Sequence, residues 1–249
     1  NNKPEAIKVL SEMVKDIPNM EVAELLMKYP QGAEKQIIYA ITKREVPSTT
    51  PPSLPADVGC IVDNVATVMA IGDAIFESKP LMDRVITVSG GAVKNPGNYQ
   101  MKIGMNIADL MDAIGGFSVE PAKFIAGGPM MGPSMYTLDV ASTKTTSGLL
   151  CFTKEEAYIP PERNCIRCGK CVEHCPMGLM PFELNQLAIK GLAEEFGNLH
   201  GMDCIECGSC SFECPAKRQL AQSIRAMKKI EGARRAAAAA AAKAAAEKK

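Results

Sequence analysis

The chain has 249 residues, of which 47% are hydrophobic and 22% are charged, with 28 basic and 28 acidic side chains. This composition is that of a folded protein of one to three domains, and it excludes wholesale disorder and a coiled-coil rod. No apolar run approaches the roughly 20 residues that a membrane-spanning helix needs, and the charged, periodic amino end predicts that no signal peptide is present.

The first forty residues predict a helix, a strand and a second helix. Apolar residues fall on one face of residues 4–17, with Pro4 in the first turn, as in an amphipathic helix. Residues 20–27 are predicted to form a strand, residues 29–32 a turn and residues 33–43 a helix. A strand, a turn and a helix in this order direct backbone N–H groups and the positive helix end at the turn, where an anion or an electron-rich ring can bind.

The next stretch predicts a loop and a third helix. Residues 46–59 are rich in Pro and predict an extended loop. After this loop, either Asp63 or Asn64 is placed to cap a helix over residues 65–78, whose apolar residues predict a buried face. These segments complete the first predicted unit, residues 1–82.

A small domain of strands and one helix is predicted over residues 83–150. Alternating residues on both sides of a turn at residues 95–97 predict a β-hairpin, and Asn106 can cap a helix that ends at residues 115–116. This order of elements is typical of a β-grasp domain. The Gly-rich stretch 127–132 is predicted to be a tight turn with methionine packing, because no Lys-Ser/Thr pair follows it as in a phosphate-binding loop.

Eight of the ten cysteines form two runs of identical spacing, offset by 39 residues and each followed by Pro. Three thiolates on a tight loop can reach three irons of one cubane cluster, and in two-cluster ferredoxins the fourth cysteine of each run ligates the other cluster. The pattern therefore predicts two [4Fe–4S] clusters. The predicted ligands are Cys165, Cys168, Cys171 and Cys214 for one cluster, and Cys204, Cys207, Cys210 and Cys175 for the other.

Zinc and disulfides are both disfavoured for the cysteine runs. Structural zinc takes four ligands as two pairs with a longer spacer, which would leave the third cysteine of each run idle. Disulfides are disfavoured because a chain of this size and apolar content needs no covalent cross-links to fold. Gly169 and Gly208 follow the second cysteine of each run, where the backbone must pass close to inorganic sulfide.

The remaining His and Cys residues are not assigned to a site. His174 and His200 are predicted to be unliganded, and Cys60 and Cys151 belong to no run and are predicted to be small buried hydrophobic residues.

Apolar residues at helical spacing follow each cysteine run, so each repeat predicts a loop and then a helix that covers the clusters. From about residue 233 the chain is an Ala-rich tail with high helix propensity. Although the net charge is zero, residues 217–249 carry a net charge of +8, which predicts a solvated helix, with contact to lipid, nucleic acid or an acidic partner as alternatives. Nucleic-acid binding is disfavoured because aromatic residues do not alternate with the basic ones.

The chain resembles the RnfC family in the combination and order of its motifs. These are YPQGAEKQIIYAITKREVP, a Pro-rich loop, DVGCIVDNVAT, a hairpin with VKNPGNY, the GGPMMG turn and the two CxxCxxCxxxCP runs. Members of that family are peripheral subunits of the Rnf ion-translocating ferredoxin:NAD oxidoreductase, and they are similar to the flavoprotein subunit of respiratory complex I, in which FMN takes hydride from NADH. The resemblance covers nearly all of residues 1–230.

The resemblance to the complex I flavoprotein implies flavin contacts in two segments of this chain. The implied FMN-binding residues are Tyr29, Gly32, Glu34, Val62, Asp63 and Asn64, with Thr67 closing the second motif. Asp63 stands where the complex I family has Asn. The Gly-rich loop that cradles the flavin and nicotinamide phosphates in that family is not found among these 249 residues.

Together these features predict an α+β multidomain protein. Its parts would be a partial α/β domain of the FMN/NADH-binding type, a β-grasp domain similar to SLBB domains, an α-helical ferredoxin-type domain and a basic tail, over residues 1–82, 83–150, 151–232 and 233–249.

The resemblance implies an electron-transfer subunit of an oxidoreductase complex. It would relay electrons through two [4Fe–4S] clusters to or from FMN and NAD, with no catalytic side chain of its own. Its partners would be the other membrane and iron–sulfur subunits, NAD(H) and, indirectly, ferredoxin, and it would lie at the cytoplasmic side of the plasma (inner) membrane. The alternative is a soluble ferredoxin-like electron-transfer adaptor without flavin.

Overall fold

The computed structural model describes residues 1–47 and 54–246. In chain order the helices are α1 (Pro4–Val14), α2 (Glu34–Thr42), α3 (Val65–Phe76), α4 (Ile107–Ala113), α5 (Lys170–Glu173), α6 (Pro181–Lys190), α7 (Ala193–Asn198), α8 (Ser209–Phe212) and α9 (Leu220–Ala246). The strands are β1 (Asp83–Ser89), β2 (Gly97–Lys102), β3 (Lys123–Ala126), β4 (Ser134–Met135) and β5 (Gly148–Phe152). Short 3₁₀ helices occupy Pro55–Val58 and Gly201–Asp203.

Three helices of the first 82 residues are confirmed, but their surroundings differ from the prediction. Helix α1 ends at Val14 rather than residue 17, and α3 ends at Phe76. The buried face predicted for α3 is wrong, since none of its residues is buried and Ile75 remains 68% exposed. No other described helix or strand packs closely over this face. Residue Ile38 of α2 is the one buried hydrophobic residue described in this part of the chain.

The strand predicted over residues 20–27 is wrong. This segment has no regular structure, and Leu26 and Met27 are 76% and 70% exposed. Its recorded backbone bonds run to Asn1 rather than to a neighbouring strand. A strand is stable only when a ladder partner takes up its N–H and C=O groups, and none is present in the described part of the chain.

The Pro-rich loop is described only in part, because residues 48–53 lie outside the described ranges. Its end is a 3₁₀ turn rather than extended chain. Pro55 begins this turn, and the carboxylate of Asp57 accepts the N–H of Leu54 at 2.8 Å. Pro at a first helical position and a side chain that caps the turn both favour this local structure.

The β-grasp prediction is confirmed by a five-stranded mixed sheet with the order β2-β1-β5-β3-β4. The hairpin of β1 and β2 is antiparallel, with Val85 opposite Gln100, and β1 also pairs in parallel with β5. Alternate residues of β1, Ile86 and Val88, face α4 and form one buried cluster with the apolar side of that helix. Cys151 is fully buried in this core, as predicted.

Asparagine caps begin two of the helices. The side-chain oxygen of Asn64 accepts the N–H of Ala66 at 3.0 Å, and that of Asn106 accepts the N–H of Ala108 at 2.9 Å. Both helices begin where the sequence predicts, since an Asn side chain satisfies an N–H that has no partner within the helix.

The last hundred residues form a helical unit around the cysteine runs. Gly191, with a φ of 72°, divides the apolar stretch after the first run into α6 and α7. Both pack against α9, and their shared core contains Leu184, Phe196, Ile224 and Met227. Helix α9 continues without a break through the Ala-rich segment to Ala246, which confirms the helix predicted there.

Candidate functional site

The two cysteine runs fold into the same local backbone. Arg167 and Glu206 occupy the same place in their runs and have left-handed φ values of 54° and 58°. Gly169 and Gly208 follow with φ values of 79° and 81°, and each is succeeded by a helix of four residues. A left-handed φ at both positions is a sufficient reason for the two glycines. The spacing of the cysteines therefore fixes the loop conformation whatever the intervening side chains are.

The structure brings the eight cysteines together as two groups of four. One cavity is lined by Cys165, Cys168, Cys171 and Cys214, and a second cavity by Cys175, Cys204, Cys207 and Cys210. The fourth cysteine of each run therefore crosses to the cavity of the other run. We call these groups the first and the second quartet.

The donor set of each quartet fits a cubane cluster. Among the described residues, no three His, Cys, Asp or Glu side chains are arranged to hold a single metal ion. In a cubane each cysteine binds its own iron, so the four sulfurs stand around the cluster rather than around one ion. Four cysteine thiols around one cavity are the ligands that [4Fe–4S] clusters use.

Backbone N–H groups point at three of the cysteine sulfurs. The N–H of Arg167 lies 3.4 Å from Cys165 Sγ, that of Glu206 lies 3.4 Å from Cys204 Sγ, and that of Leu179 lies 3.4 Å from Cys175 Sγ. Such donors stabilise negative charge on a thiolate and on a reduced cluster.

Burial keeps several of the thiols protonated when no metal is bound. Burial, together with the neighbouring cysteines of the second quartet, raises the pKa of Cys210 to about 12. Burial also raises the pKa of Cys171 and of Cys204. Cluster ligands must be deprotonated, so insertion of iron into these sites releases protons.

The two quartets differ in their exposure to solvent. Cys165 and Cys168 of the first quartet are exposed, whereas Cys207 and Cys210 of the second are buried. Phe182 of α6 and Leu220 of α9 pack against buried cysteines, as the prediction of covering helices requires. Apolar side chains beside a cluster exclude water and influence its potential.

Tyr29 lies beside the second quartet. Its hydroxyl donates a hydrogen bond of 2.6 Å to the carbonyl oxygen of Cys207. Burial, and then the neighbouring Cys207, raises the pKa of Tyr29, so the phenol stays protonated and remains a donor. It also lines an open cavity of about 740 Å³ that Cys175, Ser209 and Phe212 border from the other side.

The other residues of the predicted flavin site are spread over two helix starts. Gly32 lies in the turn before α2, and Glu34 is the first residue of that helix. Val62 and Asp63 precede α3, and the amide oxygen of Asn64 is engaged in its cap. None of these residues lines the cavity that contains Tyr29. Thus the structure places the Tyr29 turn next to the second quartet without joining it there to the Val62–Asn64 segment.

Several neighbours of the second quartet could not be identified from sequence. The tight turn predicted over residues 127–132 is present, with the Gly132 N–H bonded to the Gly128 carbonyl at 2.8 Å. It packs on the second cysteine loop, because a Cβ added to Gly208 would lie 2.9 Å from the carbonyl oxygen of Met130. Lys228 also contacts this loop. Only tertiary packing brings these distant segments together, and no local motif marks them.

The two histidines and Cys60 lie outside both quartets. His174 Nε2 is 3.9 Å from a carboxylate oxygen of Glu213, and His200 Nδ1 is 3.4 Å from one of Asp203. Neither histidine lines a quartet cavity. Cys60 is partly exposed rather than buried as predicted, because the chain around it forms the open turn after Val58.

Family models match three consecutive parts of the chain. Residues 1–73 match the Nuo51 FMN-binding domain, residues 85–134 the SLBB domain and residues 164–218 the 4Fe-4S dicluster domain. The fold and the two quartets thus define an iron–sulfur flavoprotein of several domains, with [4Fe–4S] clusters and FMN as the supported cofactors.

Curated relatives identify the family more closely, and all three named here are C subunits of ion-translocating oxidoreductase complexes. The chain is 47% identical over 229 residues to that of the Na(+)-translocating ferredoxin:NAD(+) oxidoreductase complex of Acetobacterium woodii, and 48% identical to that of the proton-translocating complex of Clostridium ljungdahlii. It is 37% identical over 186 residues to that of the ion-translocating oxidoreductase complex of Rhodobacter capsulatus. The chain is therefore a homologue of these C subunits, in agreement with its resemblance to RnfC.

The chain spans about half the length of the first two relatives. The alignments cover 92% of this chain, but 51% and 49% of the two relatives. The Rhodobacter capsulatus alignment covers 74% of this chain and 35% of its relative. Within the described ranges, no helix has both the length and the apolar character needed to cross a bilayer.

Proposed function

We propose that this chain is the electron-transfer part of an RnfC subunit in an ion-translocating ferredoxin:NAD oxidoreductase. It passes single electrons between a carrier on a partner protein of the complex and an acceptor that uses two electrons. The observation that carries this proposal is the assembly of eight cysteines from two repeats into two separate quartets. The homology to C subunits supports the choice of complex.

Each quartet is proposed to hold one [4Fe–4S] cluster. Cys165, Cys168, Cys171 and Cys214 would ligate the first cluster, and Cys175, Cys204, Cys207 and Cys210 the second. When bound, the clusters supply one-electron transfer, and FMN converts between one-electron and two-electron chemistry. The protein positions the thiolates, directs N–H groups at the sulfurs and excludes water with apolar helices.

The flavin is proposed to lie against the Tyr29–Glu34 turn and the Val62–Asn64 segment. Support comes from the FMN-binding family match over residues 1–73 and from the contact between Tyr29 and the second cysteine loop. Tyr29 would then have two tasks, since its hydroxyl anchors the Cys207 backbone while its ring borders the adjacent cavity. This arrangement makes the second quartet the neighbour of the flavin.

Ion translocation is proposed to take place in partner proteins of the complex. The chain would be attached through those partners to the cytoplasmic face of the plasma membrane, where it meets NAD(H) and, through another iron–sulfur protein of the complex, ferredoxin. The relatives include one from a Na(+)-translocating complex and one from a proton-translocating complex, so the coupling ion is a property of the whole complex.

Anaerobic purification of the 249-residue chain tests this function directly. We expect about eight iron and eight sulfide per chain, as two cubanes require, and FMN in the supernatant after acid precipitation. The Cys60→Ala variant is the matched control, because this cysteine belongs to neither quartet and its loss leaves the iron content unchanged. Stoichiometric zinc without iron would overturn the proposal. Full iron without FMN would instead support the electron-transfer adaptor.

A further inference from the structure

A group of three charged side chains surrounds the second cysteine loop. Glu206 lies within the second run, and one of its carboxylate oxygens is 3.0 Å from Lys228 Nζ. The other is 2.8 Å from Arg225 Nε. Both cations belong to α9 and are one turn apart, as residues i and i+3 of a helix are. Two cations and one anion leave a net positive charge next to this loop.

Lys228 is held more closely than an ordinary surface lysine. Its ammonium group donates a hydrogen bond to the carbonyl oxygen of Cys204, a member of the second quartet. Its side chain is 20% exposed, and Glu206 fixes the ammonium group from a second direction. Lys228 also stabilises the Cys204 thiolate, opposing the burial that raises the pKa of this thiol. A cation so fixed and shielded acts more strongly on nearby charge than one in bulk water.

The internal repeat is broken at this point. The residue of the first run that corresponds to Glu206 is Arg167, which forms no ion pair within the described ranges. The two loops share a backbone, but the second alone contacts the charged face of α9. Their electrostatic surroundings therefore differ.

We propose that Lys228 raises the reduction potential of the cluster held by the second quartet. The inference rests on the proposed function, because it requires a cluster at these cysteines. Reduction by one electron adds a negative charge to the cluster, and a fixed cation beside a ligand stabilises the reduced form more than the oxidised form. Lys228 is thus a positioning residue that acts on the cluster through charge, and its effect is confined to one of the two clusters.

Replacement of Lys228 by Gln tests this role, because Gln removes the charge and keeps a hydrogen-bond donor. In a redox titration of the anaerobic chain followed by electron paramagnetic resonance, one of the two one-electron steps should move to a more negative potential. We expect the equilibrium constant for reducing that cluster to fall about tenfold, which is 59 mV for one electron. The other step should stay at its wild-type value.

Two variants control this measurement. Lys228→Arg keeps the charge and should restore most of the wild-type potential. Lys229→Met removes a charge from the next residue of α9, which is exposed, and should shift neither step. If Lys228→Gln binds less iron, the titration is repeated on Lys228→Met. Unchanged potentials in the variants that lack this charge, or an equal shift in Lys229→Met, overturn the proposal.

The wild-type titration separates this inference from the proposed function. A chain with about eight irons and two reducible centres satisfies the proposed function, and only the variants then decide the role of Lys228. A wild-type chain without iron or a reducible centre overturns the proposed function and removes the basis of both.

Discussion

Glu231 is a buried charge whose partners explain how α9 is held at its middle. Its side chain is fully buried, yet Arg234 Nε lies 2.7 Å from one carboxylate oxygen and Arg235 bonds to the other. A Cβ added to Gly197 of α7 would lie 2.5 Å from the carboxylate, so that position needs a residue without a side chain. The close approach of α7 to α9 thus depends on Gly197 and on the pairing of Glu231.

Replacing Glu231 by Gln should destabilise the protein in a pH-dependent way. The hydrogen bond from Arg234, followed by that from Arg235, lowers the pKa of Glu231 below its usual value of 4.5. A lowered pKa contributes stability that is fully present above pH 4.5 and is lost as the pH falls through the folded-state value. We expect a loss of about 2 kcal/mol at pH 7, because bonds to charged groups are worth that much.

Thermal unfolding followed by circular dichroism checks this prediction. The difference between wild type and Glu231→Gln should be constant from neutral pH down to about pH 5 and should shrink below that. Glu194→Gln is the matched control, since Glu194 is exposed and lies 4.0 Å from Arg234. A difference that grows as the pH falls would contradict the assignment.

At the scale of elements, the sequence predicts helices better than it predicts their neighbours. Caps and periodicity locate α1, α2, α3 and α4 because both signals are local to the helix. The strand predicted at residues 20–27 fails since strand formation needs a distant partner, which no local pattern reveals. For the same reason the apolar face of α3 gives no indication of what lies against it.

Asn64 offers a test that separates a helix cap from a flavin contact. Asn64→Ala should cost about 1 kcal/mol, because the N–H of Ala66 loses its acceptor. Asn64→Ser keeps a capping oxygen and should retain wild-type stability. If the Asn64 amide also contacts the flavin as proposed, Asn64→Ser should still weaken FMN binding in a fluorescence titration. Wild-type FMN affinity in this variant would remove Asn64 from the flavin site.

The basic tail can be divided by the structure into a part that stabilises α9 and a part beyond it. Removing residues 236–249 keeps both arginine partners of Glu231 and should leave iron content and melting temperature unchanged. Removing residues 233–249 leaves Glu231 buried without them and should cost about 3 kcal/mol. Equal melting temperatures for the two truncated proteins would show that the pairing contributes nothing.

At the scale of the whole molecule, the cysteine spacing predicts the two quartets because the spacing itself sets the loop geometry. The contacts around them are not predictable in this way. Tyr29 reaches Cys207 across 178 residues of sequence, and the 127–132 turn reaches Gly208 from the β-grasp domain. These contacts connect all three family-matched parts of the chain at the second quartet.

The central claim is that the two repeats exchange their fourth cysteines, and single Cys→Ala variants test it most directly. After dithionite reduction of the anaerobic protein, electron paramagnetic resonance identifies which cluster survives in each variant. We expect Cys175→Ala and Cys210→Ala to lose the same cluster, while Cys171→Ala and Cys214→Ala lose the other. Loss of one common cluster by Cys175→Ala and Cys171→Ala, or no paramagnetic centre in the wild-type chain, would contradict it.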